Sequence, residues 1–243
     1  MQKQEYEKMY ELEEAHWWFA GKREMVFQIL KKISGKGFKI LDVGCGTGIV
    51  MEKAARYGQL YGLDYSGEAL AFCRKRGLSN LSHGSVMSLP YEEDMFDVAL
   101  CLDVLYHKGV TDDRQAVREL YRVIKPGGHL IITDSAMKCL MSPHDIATQA
   151  RERYSAAELR SKVRSAGFSV MKLSYYNFFL FPMIFAVRKI RNLIKAKGSD
   201  VGELPGLLNS ALFRILWLES RLIQRVNFPV GVSLICVAEK PFA

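Results

Sequence analysis

The sequence has little of what marks a secreted, membrane-spanning or repetitive chain. It has five cysteines in 243 residues, an odd number with no CxxC pair. Cys45, Cys73, Cys101, Cys139 and Cys236 lie far apart, which argues against a disulfide framework and a structural zinc site and fits a reducing cytosol. No uncharged apolar run reaches the ~18 residues of a membrane-spanning helix. The opening stretch, MQKQEYEKMYELEEAHWWF, has no basic segment followed by an apolar one, so no signal peptide is expected. There is no internal repeat and no low-complexity tract. His16, His107 and His144 show no ligand spacing, so no metal site is expected.

What is there is an ordinary folding composition, 49% hydrophobic and 25% charged, long enough for one large domain or a domain with an elaboration. The charge is unevenly placed. Residues 1–150 hold 19 Lys/Arg against 20 Asp/Glu, a balance of −1, and residues 151–243 hold 15 against 6, a balance of +9. A basic C-terminal part fits a nucleic-acid partner, an anionic membrane surface, or simply a solvated helix face.

From residue 21 to about 134 short apolar runs alternate with amphipathic segments. Strands are expected at 38–43, 60–64, 96–102 and 129–134, and helices at about 48–57, 66–76 and 111–124. The last helix carries Val117, Leu120, Tyr121 and Ile124 at i, i+3, i+4 and i+7. This rhythm implies a parallel sheet covered on both faces, an α/β doubly wound fold. Further on, Ser155 and Glu158 have capping-box spacing at the head of a helix over 155–166. Phe168–Tyr175 and Val232–Ala238 read as two more strands. The residues between them form an insertion: an apolar run from Phe178 to Val187, a basic stretch (Arg188, Lys189, Arg191, Lys195, Lys197), a loop with Gly198, Gly202 and Pro205, and a helix to about Arg225.

The strongest motif is Ile40-Leu41-Asp42-Val43-Gly44-Cys45-Gly46-Thr47-Gly48, a strand running into three glycines and then a helix. Such glycines let the backbone turn tightly and approach a ligand, and the helix start offers free N–H groups. Asp64 closes the next strand, where an acid accepts both ribose hydroxyls of a nucleoside. The third glycine of a dinucleotide fingerprint would fall at position 49, which is Ile49, and no P-loop Lys-Ser/Thr follows. A nucleoside without a pyrophosphate is the better ligand.

With these residues in view the chain resembles a class I S-adenosylmethionine-dependent methyltransferase over about residues 38–135. The DVGCGTG run resembles the family's first motif. Asp64-Tyr65 in LYGLDYS resembles its ribose-binding acid, and Gly84-Ser85-Val86 before Ser88-Leu89-Pro90-Tyr91 its adenine-flanking segment. Phe96–His107 resembles the strand and turn facing the methyl group, and ELYRVIKPGG at 119–128 the helix and turn before strand five. The resemblance implies a Rossmann-like seven-stranded sheet with its last strand antiparallel, and S-adenosylmethionine as cofactor with S-adenosylhomocysteine as product. It implies cofactor contacts from Asp42, Gly44, Cys45, Gly46, Gly48, Asp64, Tyr65, Ser85, Val86, Leu102 and Asp103. Asp103 also reads as a helix N-cap.

The catalytic candidate is His107, as a general base near neutral pH, or as a packed structural histidine. Substrate-side candidates are His16, Trp17, Trp18, Tyr106, His144 and Arg153. The segment HWWFAGKR resembles the opening of a bacterial and archaeal subgroup; its tryptophans form either a water-excluding lid or a staple for the first helix. Arg23 is a candidate partner for the cofactor carboxylate. Three parts follow: a helical lid over 1–34, a cofactor-binding core over 35–176 and 230–243, and the insertion over 177–229. The insertion reads four ways, as an interfacial membrane helix, a cap over an apolar pocket, a homodimer interface or a plain amphipathic hairpin. The expected reaction is O- or C-methylation of a small apolar or lipid-linked acceptor in the cytoplasm, at the inner face of the membrane on the interfacial reading. An RNA or protein methyltransferase and a non-catalytic cofactor-binding module are the alternatives.

Overall fold

The computed structural model describes residues 3–194 and 202–242; Lys195, Lys197 and Gly198 lie outside them. Two helices, α1 (Lys3–Leu12) and α2 (Trp17–Ile33), precede the first strand. Then come β1 (Lys39–Val43), α3 (Ile49–Ala54), β2 (Gln59–Asp64), α4 (Gly67–Lys75), β3 (Leu81–His83), β4 (Phe96–Leu102), α5 (Asp113–Val123) and β5 (Ile124–Ser135). The later elements are α6 (Pro143–Ala147), α7 (Ala156–Ser165), β6 (Ser169–Tyr176), α8 (Phe181–Leu193), α9 (Gly206–Leu222) and β7 (Ser233–Glu239).

The strands form one sheet in the order β3-β2-β1-β4-β5-β7-β6, with β7 antiparallel to both neighbours. The seven-stranded Rossmann-like sheet expected from the motifs is therefore present. β1 and β4 are buried nearly throughout, as strands covered on both faces must be. One face packs on α5 and α7, with Leu120, Val123, Leu159 and Val163 in its core; the other packs on α2 through Met25, Val26 and Leu30.

The helix signals hold. Ser155 Oγ accepts from Glu158 N at 3.2 Å and Glu158 Oε2 accepts from Ser155 N at 2.8 Å, a complete capping box. β5 starts five residues before the expected His129. Phe96 pairs with Ile124 but Val98 with His129, so Lys125-Pro126-Gly127-Gly128 bulges from the ladder rather than preceding it. Asp103 is no helix N-cap; Asp112 caps α5 by accepting from Gln115 N at 2.9 Å.

The segment after β6 is two helices, and α9 packs across α2. Gly21 makes that crossing close, because a Cβ there would sit 2.7 Å from Leu216 Cβ. Leu180, Leu212 and Leu216 form a small core of their own with Trp17, Trp18 and Ile184 against it.

Candidate active site

Strand order reverses between β1 and β4, and the crevice outside their C-terminal ends is where open α/β sheets bind ligands. A cavity of about 1150 Å³ lies there. It lies at the top of the ~300–1000 Å³ range of ordinary ligand pockets.

The polar end of the cavity is built by the glycine loop. Gly44, Gly46 and Gly48 have φ of +71°, +55° and +86°, a region that favours glycine. A Cβ at Gly44 would meet Val104 Cγ2 at 2.4 Å, and one at Gly48 would meet Leu78 Cδ1 at 2.5 Å. Gly46 turns its bare side toward α1, where Met9 Cε would lie 3.2 Å from a Cβ. Gly46 N donates to Asp64 Oδ2 at 2.9 Å and Ser66 N to Asp64 Oδ1 at 2.8 Å. Burial pushes the Asp64 carboxyl up, while these backbone donors pull it down. Tyr65, Ser85, Val86 and Leu102 line the same end.

Cys45 and Gly48 do not face the cavity. Cys45 Sγ lies 3.8 Å from Cys73 Sγ inside the core, and Gly48 is the N-cap of α3. Asp42 lies behind the loop with Oδ2 unpartnered among the described residues. Burial, then the Asp64 charge, push its pKa up to about 7 against the pull of Lys22.

Of the neighbours Lys22 and Arg23, the structure brings the wrong one for our expectation into the site. Arg23 is buried and donates to the Glu13 and Glu14 carbonyls, so it closes the turn between α1 and α2 and does not reach the cavity. Lys22 lines the cavity and pairs with Asp103, which also accepts from Thr133 Oγ1 at 3.2 Å. The turn is latched over the loop: Glu13 accepts from Thr47 Oγ1 and pairs with Arg76 at 2.7 Å.

The other end is apolar. Trp17, Trp18, Ile184 and Leu212 line it, with His16 beside them. Trp18 stacks on Tyr176 (6.0 Å, 17°) and meets Trp17 edge-on, so the two tryptophans both line the cavity and fasten α2. His16 caps α2, its Nδ1 accepting from Trp18 N at 3.4 Å, and burial lowers its pKa. Tyr106 lines the wall, and burial raises its pKa. His107 lines it too, with its pKa lowered by burial. Its Nδ1 accepts from Gly109 N at 3.1 Å. Arg153 touches the cavity but is held in an ion pair to Asp145 at 2.8 Å and donates to Ala136 O at 2.9 Å. His144 falls on α6, and its side chain lies outside the described ones. Among the described residues no cluster of His, Cys, Asp and Glu holds a metal.

Residues 41–132 match a protein family described as a methyltransferase domain. This part of the chain is similar to a methyltransferase domain. Its cofactor is S-adenosylmethionine, and the residues present fit it: a glycine cradle, an acid held at its rim and a cation facing the same space. A demethylmenaquinone methyltransferase of Geobacillus sp. is 34% identical over 116 residues, 44% of this chain and 49% of that protein. A ubiquinone biosynthesis O-methyltransferase of Cronobacter sakazakii is 36% identical over 104 residues, 40% and 42% of the two chains. The chain thus spans just under half the length of the curated relatives it matches. Among solved structures, an S-adenosylmethionine-dependent methyltransferase from Mesorhizobium loti superposes with a TM-score of 0.59 at 16% identity over 88% of this chain and 97% of that one. The cyclase SpnF does so with 0.60 at 24% identity over 90% and 82%. A fold shared with a cyclase does not assign a reaction.

Lys22 escaped the sequence reading, and the α8–α9 wall of the cavity was legible only as one of four readings of the insertion, a cap over an apolar pocket. Lys22 had a signal, since it lies four residues after Trp18 on one helix face. The wall comes from a packing of α9 on α2 that no local pattern reports.

Proposed function

We propose that the protein is an S-adenosylmethionine-dependent methyltransferase acting on a small apolar or lipid-linked acceptor, by O- or C-methylation. The observation that carries this reading is the single cavity with two unlike ends. The glycine loop, Asp64 and Lys22 form a polar end suited to the cofactor, and Trp17, Trp18, Ile184 and Leu212 form an apolar end beside it. On this reading residues 1–34 are a lid and residues 177–229 a cap. The relatives named for quinone methylation support an acceptor of this class. The five cysteines are all free, which supports a cytoplasmic setting, and an apolar acceptor favours work at the membrane's inner face.

The bound cofactor supplies a sulfonium-activated methyl group. The protein's own residues do the rest. Asp64 would accept the ribose hydroxyls, and the glycine loop would set the depth of approach. Lys22, held by Asp103, would pair with the cofactor carboxylate. The aromatic wall orients the acceptor and keeps water out. His107, on the cavity wall, is the candidate general base, and an acceptor that ionises readily, such as a phenol or an acidic carbon, needs little help from it.

The test incubates the protein with methyl-labelled S-adenosylmethionine and a cell extract, then separates organic, aqueous and acid-precipitable fractions. Label in the organic phase is expected. Label in the precipitate would replace this reading with RNA or protein methylation, and cofactor binding with no label anywhere would leave a non-catalytic module.

A further inference from the structure

The insertion wears its apolar residues on the outside. Thirteen of the eighteen large hydrophobic side chains that stand exposed among the described residues belong to 177–229, far more than scattered surface residues require. On α8, Met183, Val187, Ile190 and Leu193 follow at i, i+4, i+7 and i+10, all exposed, while Arg188 is buried. A surface helix of a soluble domain shows the reverse. On α9, Leu207 is 91% exposed, and Leu218 and Leu222 stand out beside Arg214 and Arg221, with Arg225 just past the helix end; all three arginines are exposed too. The guanidinium of Arg221 lies 4.0 Å from the Trp217 ring centre. The acid of α9, Glu219, is turned inward and accepts from Phe178 N at 2.9 Å and Phe179 N at 3.2 Å. The outer face is therefore apolar and cationic together.

This face is continuous with the cavity. Met183, Val187, Leu204 and Leu208 are exposed at the surface and line the cavity as well. No described helix is long and apolar enough to cross a membrane.

We infer that the α8–α9 face docks on an anionic bilayer surface, with the cavity mouth turned toward the acyl chains. An interfacial helix buries its apolar face at the headgroup boundary and sets Lys and Arg on anionic lipid, and this face offers both. A second copy would bring arginine against arginine. A nucleic acid would pair the arginines but bury Leu193, Leu207 and Leu222 against phosphates. Docking itself rests on the face alone. The lateral passage of a lipid-linked acceptor from bilayer to cavity rests also on the function proposed above.

The test floats the full chain with vesicles of phosphatidylcholine alone or mixed with phosphatidylglycerol, with S-adenosylmethionine affinity measured by calorimetry on the same preparations. The wild type is expected to float with the anionic vesicles. Arg214→Gln/Arg221→Gln/Arg225→Gln is expected to weaken partition about a hundredfold, at the weight that each basic residue carries near such a surface. Leu193→Ser/Leu207→Ser is expected to weaken it by about the same factor through lost apolar burial. All these side chains are exposed, so circular dichroism and cofactor affinity should stay unchanged. No flotation, or flotation untouched by either variant, overturns the docking. So does a dimer that Leu207→Ser dissociates in the absence of vesicle binding, or RNA binding without vesicle binding. Vesicle binding without cofactor affinity would instead sink the methyltransferase reading and leave docking standing.

Discussion

The two ends of the cavity are built on opposite principles. At the glycine loop, specificity is made by backbone: three left-handed glycines, two N–H groups fixed on Asp64, and close packing of Val104 and Leu78 that leaves no room for a Cβ at Gly44 or Gly48. At the α8–α9 end it is made by side chains, aliphatic and aromatic, on helices that rest on α2 through a core of three leucines. The first is a rigid recess for a ligand of fixed shape, and the second a soft wall that repacks around an apolar one.

The comparison breaks most completely at Gly46. Gly46→Val places a branched side chain where φ is +55° and Met9 is the nearest neighbour, and calorimetry should detect no S-adenosylmethionine binding in a chain that remains folded. The next effect is one of pH. Asp42 has an ordinary value of 3.8 and a folded value near 7, so its neutral form is favoured in the fold. Its contribution is complete below about pH 4 and is lost as pH rises toward 7. A shift of that size is worth at most about 4 kcal/mol. The melting temperature should therefore fall across that window, and Asp42→Asn should flatten the fall. Asp64→Ala should weaken cofactor binding by about 2–3 kcal/mol through lost charge-assisted hydrogen bonds, with the apolar end intact.

The other end is broken separately. Gly21→Val drives a side chain into Leu216 and should cost about 1–3 kcal/mol of stability by overpacking. It should lower turnover or acceptor affinity, and cofactor affinity should hold. If cofactor affinity falls equally, the two ends are one unit. The smallest effect is expected away from both, where Ser155→Ala removes the capping box of α7 and should cost about 1 kcal/mol in chemical unfolding.

How far each end was legible follows from the same difference. The glycine loop, Asp64 and the alternation of strand and helix are local patterns, and they placed a parallel sheet and the polar end of the cavity; the seven strands with the last antiparallel followed from the family resemblance, and the strand order only from the structure. The capping box at Ser155 was local in the same way. The choice between Lys22 and Arg23 was not, because it depends on which side of α2 meets the Glu13–Glu14 turn. Nor was the bond that His107 Nδ1 accepts from Gly109 N. The α8–α9 wall depends on contacts between residues such as Gly21 and Leu216, nearly two hundred positions apart, and sequence periodicity carries no record of distant partners.

β7 runs against its neighbours, so the chain leaves β6 and re-enters β7 at the same edge of the sheet, the edge that carries the glycine loop and Asp64. A hairpin can lengthen without rethreading a sheet, and whatever grows there lands over the cavity mouth. One reversed strand thus gives the fold a place to vary its choice of acceptor while its grip on the methyl donor is inherited untouched.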